Sequence, residues 1–488
     1  MRKAFDRQGR LDCSPVLAVR LNTDCRDEIV PILKALQHIY SQPEFRDSIL
    51  QAIATDVNHT SSSSRGREGM DYWQILVLAA VRLGCNLDYD KLQDLAEQHR
   101  ALRQIMGIGD WDQQITFDWR RIRDNVTKIR PETIETINHL IVEAGHKLAP
   151  QAVQTVRADS FVVETNIHYP TESSLIRDGM RKLLSIAAAL ASLVGLEGWR
   201  QSKHLFRKAN RLARRIERIA TRKGAGYEER LKPLYRQLLS LTETVLQRAE
   251  ELRRAAKTLA GNDLQAQALD TELAVFIQRT RHVCGTARRR VLEGEQVPNR
   301  DKLFSIFEPH TQLYKRGKAG EPIQFGRQLL IYEDGAGFIT HAYLMPRDAD
   351  DRDVLIEQTR KLQERLGGRI RRASFDRGFH SPQNQEQLRE IIAHPCLPMP
   401  GSRQAAQQDE EATIEFHQAR QSHPGVESAI GALQAGNGLT RCRDRTEDGF
   451  WRYLHLGVLG RNLHVLGKLL IAAEDGDALA ARSRRQAA

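Results

Sequence analysis

The stretch AVQTVRADSFVVE, residues 152–164, is where the character of the chain changes. Upstream, apolar residues recur at helical spacing. Here Thr155, Val156, Phe161, Val162 and Val163 gather in a run of the β-branched and aromatic residues that suit a strand. The run ends near Tyr169-Pro170, because proline fixes φ and has no amide to continue a ladder. Asp159 is thereby expected on a strand.

Working outward, residues 1–25 read as a flexible arm and 26–150 as an all-helical N-terminal domain. Ile29, Ile32, Leu33, Leu36 and Ile39 keep helical spacing, as do Ile75, Leu76, Leu78, Ala79, Val81 and Leu83. Residues 59–66 between them are a polar linker. Ile134, Ile137, Leu140 and Ile141 mark a further helix, approached through Trp119, Arg120, Arg121 and Arg123. Those arginines fit either phosphate contact or a solvated face.

Downstream, residues 173–298 read as a helical insertion. Arg207, Arg211, Arg214, Arg215, Arg218 and Arg222 fall at steps that place them on one side of a helix, with Leu205, Leu212, Ile216 and Ile219 on the other. Glu217 is the sole acid between Lys203 and Lys223, so the stripe suits a phosphate-facing role better than a solvated face of mixed charge. Lys223-Gly224-Ala225-Gly226 offers a turn, after which Leu231, Leu234, Leu238, Leu241 and Val245 continue on a returning helix.

Strand-like sequence resumes after Pro298, first as the short apolar run Lys302 to Glu308. Gln328–Tyr332 and Phe338–Leu344 flank Glu333-Asp334-Gly335-Ala336-Gly337, a hairpin signal. A helix from about Val354 to Leu366, a strand over RIRRASFD (369–376), a helix over 382–392 and an edge piece at CLPMPGSR (396–403) follow. Pro424–Leu433 opens another helix, Phe450–Ala472 is a strongly apolar last one, and 473–488 read as a disordered tail. Strands alternating with helices imply an α/β domain built from 151–172 and 299–472 and split by the insertion.

The 488 residues carry a formal net charge of +11, and 41% are hydrophobic, which describes a globular chain with a preference for polyanions. Cysteines at 13, 25, 85, 284, 396 and 442 show no zinc-ligand spacing and suit free thiols in a reducing compartment. The N-terminus lacks the apolar core of a signal peptide, and Leu183–Gly195 is too short to span a bilayer. A cytoplasmic protein without a membrane partner is expected.

Three carboxylates stand where strands end or helices begin: Asp159, Asp376 in RRASFDRGFHSPQN, and Glu427 in HPGVESAIGAL. Phosphodiester hydrolysis and transfer require charge neutralisation at phosphorus and activation of a weak oxygen nucleophile. Two divalent cations about 4 Å apart supply both. Magnesium takes hard oxygen ligands and retains waters, so carboxylates from different elements suffice. Taken singly, an aspartate at a strand end also serves as a turn or cap residue.

The surrounding blocks resemble those of bacterial insertion-sequence transposases of the DDE type, within the retroviral-integrase and RNase-H-like superfamily. DSFVVETNIHYPTESSLIRDG (159–179) is similar to the first catalytic block, and SIFEPHTQLYKRGKAGEPIQFGRQLLI (305–331) to the segment after the insertion. FDRGFHSPQN (375–384) resembles the second block and the stretch 425–467 the third; the nearest group is the loosely defined ISNCY set. The resemblance implies an RNase-H-like catalytic fold with Asp159, Asp376 and Glu427 as the acidic triad. It further implies two Mg2+ ions, with Mn2+ able to substitute, and an N-terminal region that recognises terminal inverted repeats. Double-stranded DNA, both element ends and target, is the partner, bound by a homodimer or higher assembly.

One departure is visible. Where some relatives carry Arg four residues before the catalytic Glu and Lys seven after it, this chain has His423 and Gln434. Glu410, Glu411 and Glu415 are the alternative third carboxylates. Arg377, Arg441, Arg443 and Arg461 are candidates for DNA-backbone contact, His380 for phosphate contact or turn stabilisation, and His168 for closing the site or a structural bond. The expected activity is metal-dependent cleavage at element ends followed by strand transfer. Two further readings stay open: a non-catalytic DNA-binding protein descended from a transposase, and a metal-dependent nuclease without strand transfer.

Overall fold

The computed structural model describes residues 2–5, 11–59, 69–112, 114–259, 261–315, 323–399 and 411–487, with side chains through 476. The chain divides into two compact units, Met1–Asn166 with Arg327–Ala488, and Ile167–Gly326.

The first unit opens with helices α1 (Ile29–Ser41), α2 (Pro43–His59), α3 (Tyr72–Gly84), α4 (Tyr89–Gln98), α5 (Arg100–Ile105), α6 (Trp119–Val126) and α7 (Pro131–Leu148). Local chemistry sets their starts. Asp71 and Gln74 form a reciprocal capping box at α3, Asp88 accepts the Lys91 amide at α4, and proline occupies the first turn of α7. Every residue of α3 except Gln74 is buried, as befits a helix at the centre of a bundle.

Strand β1 (Thr155–Thr165) follows and leads into the second unit. There α8 (Glu172–Leu193), α9 (Ser202–Arg222), α10 (Tyr227–Leu259) and α11 (Leu264–Ala287) bury Leu183, Leu190, Leu212, Ile216, Leu238, Leu246, Leu273 and Ile277 in a core of their own. Lys223 takes the left-handed conformation, φ 41°, and turns α9 toward α10. Strand β2 (Gln312–Lys315) pairs antiparallel with residues 323–326 at the start of β3 (Ile323–Asp334).

The rest of the first unit comprises β4 (Ile339–Leu344), α12 (Asp351–Arg365), β5 (Arg372–Phe375), α13 (Pro382–Ile391), β6 (His394–Cys396), α14 (Ile414–Ser422), α15 (Gly425–Gly431), β7 (Arg441–Cys442) and α16 (Glu447–Ala487). Its strands lie in the order β4-β3-β1-β5-β6. β4 is antiparallel to β3, whereas β5 is parallel to β1 and β6 parallel to β5. β7 runs parallel to the end of β1 through Glu164 and Thr165. This is a mixed sheet with helices on both faces. Val156, Ala158, Tyr332 and Phe375 pack with Leu355 and Leu362 of α12 and Leu388 of α13. On the opposite face Phe161, Val163, Leu329 and Ile331 share a core with α1, α3, α7, α15 and α16.

The residues expected to form a separate N-terminal domain thus belong to the same compact unit as the sheet. Their apolar faces pack on one another, on α16 and on residues of β1, β3 and β4. α16 joins the two: a Cβ on Gly460 would lie 2.6 Å from the Gly84 backbone, so glycine on both helices permits the close approach. Glu447–Gly476 is apolar and long enough to cross a membrane, but 56% of its most apolar window is buried among α1, α3 and α7.

Other expectations differ in detail. Described parts of the arm are packed: Val16 and Val19 are buried, and Phe5 meets Tyr40 edge-on at 5.4 Å. The tail is helical to Ala487 rather than disordered. Lys302–Glu308 is irregular with bends instead of a strand, and the Ser305 hydroxyl accepts the Phe307 and Glu308 amides. Of the polar linker 59–66, residues 60–66 lie outside the described residues.

Two stability predictions follow from the interior of the first unit. Arg82 is 1% exposed and gives two hydrogen bonds to Asp444, at 3.0 and 2.5 Å. Asp444→Ala leaves that guanidinium buried without its partner and is expected to lower stability by about 3–5 kcal/mol in urea unfolding. The Arg82→Met/Asp444→Leu double variant should recover most of the loss. The second concerns acid. Burial lowers His139 to about 3, His341 to about 4 and His455 to about 4, with the Arg365 cation adding to the effect at the first two. Unfolded imidazoles take protons near 6.5, so below that pH the unfolded chain binds more protons than the fold. Stability should therefore fall as pH drops from about 6.5 toward 4, each group removing up to about 1.4 kcal/mol per pH unit. A melting temperature level between pH 7 and pH 5 would contradict this.

Candidate functional site

The register between β1 and β5 decides where the carboxylates stand. Thr155 pairs with Arg372, Val156 with Ala373, Arg157 with Ser374 and Ala158 with Phe375. Asp159 is the next residue on β1, and Asp376 is the first residue after β5. Parallel neighbours lie roughly 4.8 Å apart, and side chains alternate between faces. Arg157 and Asp159 on β1 therefore share one face with Ser374 and Asp376, while Val156, Ala158, Ala373 and Phe375 enter the core beneath α12 and α13.

Asp159 is half-buried, and its carboxylate accepts the Ser160 amide at 2.7 Å. Asp376 is exposed, in extended conformation (φ −78°, ψ 163°), at the head of the short turn Arg377–Phe379. Its carboxylate makes no capping hydrogen bond to that turn. The turn closes through backbone bonds instead, from the Phe379 amide to the Asp376 carbonyl and from the His380 amide to the Arg377 carbonyl. Capping, the ordinary duty of an aspartate here, does not occupy this side chain.

Glu427 lies on α15, which packs on β1 through Val426 and Ala429. The side chain itself is exposed. Gly425 brings the helix backbone against β1: a Cβ there would fall 2.1 Å from Nη1 of Arg157. Arg157 donates through Nη1 to the Ser422 carbonyl at 3.0 Å and through Nε to Glu333 at 2.5 Å. One residue on, His423 Nδ1 meets the Ser374 hydroxyl at 3.1 Å. Burial pulls the His423 imidazole below its usual range, and the Asp376 and Glu427 carboxylates pull it back up. Both carboxylates thus act electrostatically on one ring.

The structure places Asp159 on β1 directly after the last register pair and Asp376 directly after the end of β5, with the Glu427 helix packed on β1. It does not bring three ligands into contact: among the described residues no group of three His, Cys, Asp or Glu side chains is close enough to hold a metal ion. The donor chemistry suits a hard cation, being carboxylate oxygen. Of the alternative third carboxylates, Glu415 is in the first turn of α14, roughly 18 Å of helix before Glu427. Glu411 lies at the Met399 amide, and Glu410 is outside the described residues.

The basic candidates separate into open and engaged groups. Arg207, Arg211, Arg214, Arg215, Arg218 and Arg222 are all exposed on α9, whose other side buries Ala209, Leu212, Ala213 and Ile216. Arg377 is exposed directly after Asp376. Arg441 is bound to Glu164 at 2.6 Å across the β1–β7 pair. Arg461 corrects the expectation of a DNA-facing residue: its side chain is 22% exposed and lies 3.9 Å from the buried Glu333, because α16 turns it inward. Arg443 likewise bonds Tyr453 and Asn86 inside the unit. His380 is buried and meets Gln385 at 3.3 Å, and His168 bonds Asp178 at 2.7 Å within the second unit. Arg120 and Arg123 stack over Trp119 at 4.6 and 5.2 Å.

Sequence reasoning passed over Arg157, Ser374 and Glu333. The signal for Arg157 was present: a cation two residues before Asp159 must share its face of the strand, where a buried position demands a partner. Ser374 carries no such mark. Comparison of the chain with family models, curated proteins and solved structures gives no match.

Proposed function

We propose that the chain is a DNA transposase of the DDE type whose first unit contains an RNase-H-like catalytic core. The observation that carries this reading is the position of Asp159 and Asp376, each directly after the last register pair of the parallel strands β1 and β5, with the Glu427 helix packed on β1. The mixed sheet of order β4-β3-β1-β5-β6, with helices on both faces, is compatible with an α/β core and supports the reading to that extent.

In the proposed reaction, water attacks the phosphorus at the element end, loses its proton and displaces the 3′-oxygen, which leaves as a hydroxyl. That hydroxyl then attacks a target phosphodiester, forms the new P–O bond and releases a target 3′-hydroxyl. Asp159, Asp376 and Glu427 would hold two Mg2+ ions, which would supply Lewis acidity for phosphodiester cleavage and transfer. Completing such a set would need the three carboxylates closer together than they stand here. Arg377, exposed beside Asp376, would contact the flanking phosphate. The α9 stripe would bind duplex backbone without reading sequence. Element ends and target are the DNA partners, with a homodimer or larger assembly on DNA and a cytoplasmic setting.

One competing reading is a DNA-binding descendant without catalysis. Asp159→Asn, Asp376→Asn and Glu427→Gln decide between them, since each keeps shape and removes a negative ligand. Each should leave gel-shift affinity for an end-containing duplex intact and slow single-turnover cleavage with Mg2+ on the order of 10³-fold, without additive effects. Normal cleavage by all three variants, or none by the unaltered chain, would remove the enzyme reading. A nuclease alone would cleave but yield no joined product. For the stripe, replacing Arg207, Arg211 and Arg214 with Gln should weaken binding to all DNA sequences and reduce the salt slope by up to about 2.7, near 0.9 for each phosphate no longer neutralised. An unchanged slope would return the stripe to the role of a solvated face.

A further inference from the structure

We infer that Arg157, Ser374 and His423 form a clasp that positions Glu427 over Asp159 and Asp376, with Arg157 tying the helix to β1 and Ser374–His423 tying it to β5. The inference rests on the proposed carboxylate site and adds the groups that set its geometry.

Arg157 and Ser374 are register partners, so they stand side by side at one level of the sheet. The residues they bind are also neighbours: Arg157 holds the Ser422 carbonyl and Ser374 holds His423. One level of two adjacent strands is therefore joined to one turn of the helical segment. Asp159 and Asp376 lie two residues beyond that level on their strands, and side-chain period two returns them to the same face. Glu427 lies four residues beyond His423. His423 and Pro424 both keep right-handed helical backbone, φ −58° and −57°, so one helical turn links the clasp to Glu427.

The components are built to hold position. Ser374 is 2% exposed and Glu333, the second partner of Arg157, is also 2% exposed. Glu333 fixes the guanidinium from one side, leaving Nη1 directed to the helix. Gly425 leaves the space that the guanidinium occupies, since a Cβ there would overlap it. Ser422 lies at the end of α14, and the Val426 amide bonds to the His423 carbonyl, so the cation satisfies an acceptor left without a helical partner. None of the three residues needs to touch DNA or metal. They are positioning residues.

The test uses the full chain and three variants, Ser374→Ala, His423→Ala and Arg157→Met. Amide hydrogen exchange across 411–436 reports the clasp directly, without metal or DNA. Faster exchange in that segment with the β1–β5 pair still protected is the expected result, and unchanged exchange in Ser374→Ala and His423→Ala overturns the clasp. Ser374→Ala deletes a single oxygen and guards against loss of the fold, which Arg157→Met risks by leaving Glu333 buried without its cation.

Positioning is then read by Mn2+ titration calorimetry, with Glu427→Gln as reference. Ser374→Ala and His423→Ala should weaken Mn2+ binding about fivefold to tenfold at unchanged melting temperature and unchanged affinity for duplex DNA. Equal Mn2+ affinity in these variants and the unaltered chain, with Glu427→Gln defective, overturns the positioning role while the carboxylate site stands. If the unaltered chain takes up no Mn2+, the carboxylate site falls and with it the positioning of ligands, while exchange still decides whether the clasp exists.

Discussion

Parallel pairing of β1 with β5 is the constraint from which the rest of the first unit can be derived. A parallel pair buried on both faces commits each side chain to one of two environments, and a slip of one residue would exchange them all. The register Ala158↔Phe375 puts the apolar set under α12 and α13. It leaves Arg157, Asp159, Ser374 and Asp376 on the other face, where any helix that covers them must satisfy their polar groups. The segment from α14 to α15 does so for Arg157 with the Ser422 carbonyl and for Ser374 with the His423 imidazole, and Gly425 leaves room for the guanidinium. A slipped register would bury Asp159 and Arg157 against Leu355 and Leu388, an outcome that would cost several kcal/mol for each uncompensated charge.

Charges inside this unit come with partners, and the partners lie far apart in sequence. Arg82 on α3 meets Asp444 before α16, Arg157 on β1 meets Glu333 on β3, and His146 on α7 meets Asp334 in the hairpin. Such pairs contribute little net stability compared with apolar residues of the same shape, but breaking one is costly. Their effect is to penalise other arrangements of the helices over the sheet. The N-terminal helices are therefore fixed to the sheet by matched polar contacts as well as by the apolar surface of α16.

Much of the order of elements is legible in the sequence because periodicity is local. The hairpin around Gly335 and Gly337, the strand ending at Asp376, the helix of Glu427 and the turn at Lys223 all carry their own signals. What is not legible depends on packing. Nothing in residues 26–150 says that their apolar faces complete a core shared with β1, β3 and β4, since a free-standing bundle would show the same spacing. Composition marks the tail as disordered, while its helix propagates from a nucleus already anchored through Leu454, Leu459, Leu463 and Leu466. Among site residues, the aspartates can be found from strand ends and block similarity. Ser374 cannot, because its role exists only through His423, 49 residues away. Arg461 misleads for the complementary reason: a cation in an apolar helix looks like a surface residue until the buried Glu333 is known.

The place of the helical block within the sheet is physically permissive. Between Thr165 of β1 and Ile323 of β3 the chain inserts four helices that bury their own leucines. Closing a long loop costs only about 0.6 kcal/mol more for each doubling of its length, so an insertion with its own core burdens β1–β3 pairing little. The same self-sufficiency explains the arginine row. α9 commits Ala209, Leu212, Ala213 and Ile216 to the core of the second unit, which fixes its rotation about its own axis. Once that rotation is set, Arg207, Arg211, Arg214, Arg215, Arg218 and Arg222 have to face outward. Their side chains repel one another at helical spacing, a small but repeated cost for an isolated helix. A single-sign row held outward by an independent core is a surface whose cost an external polyanion would relieve.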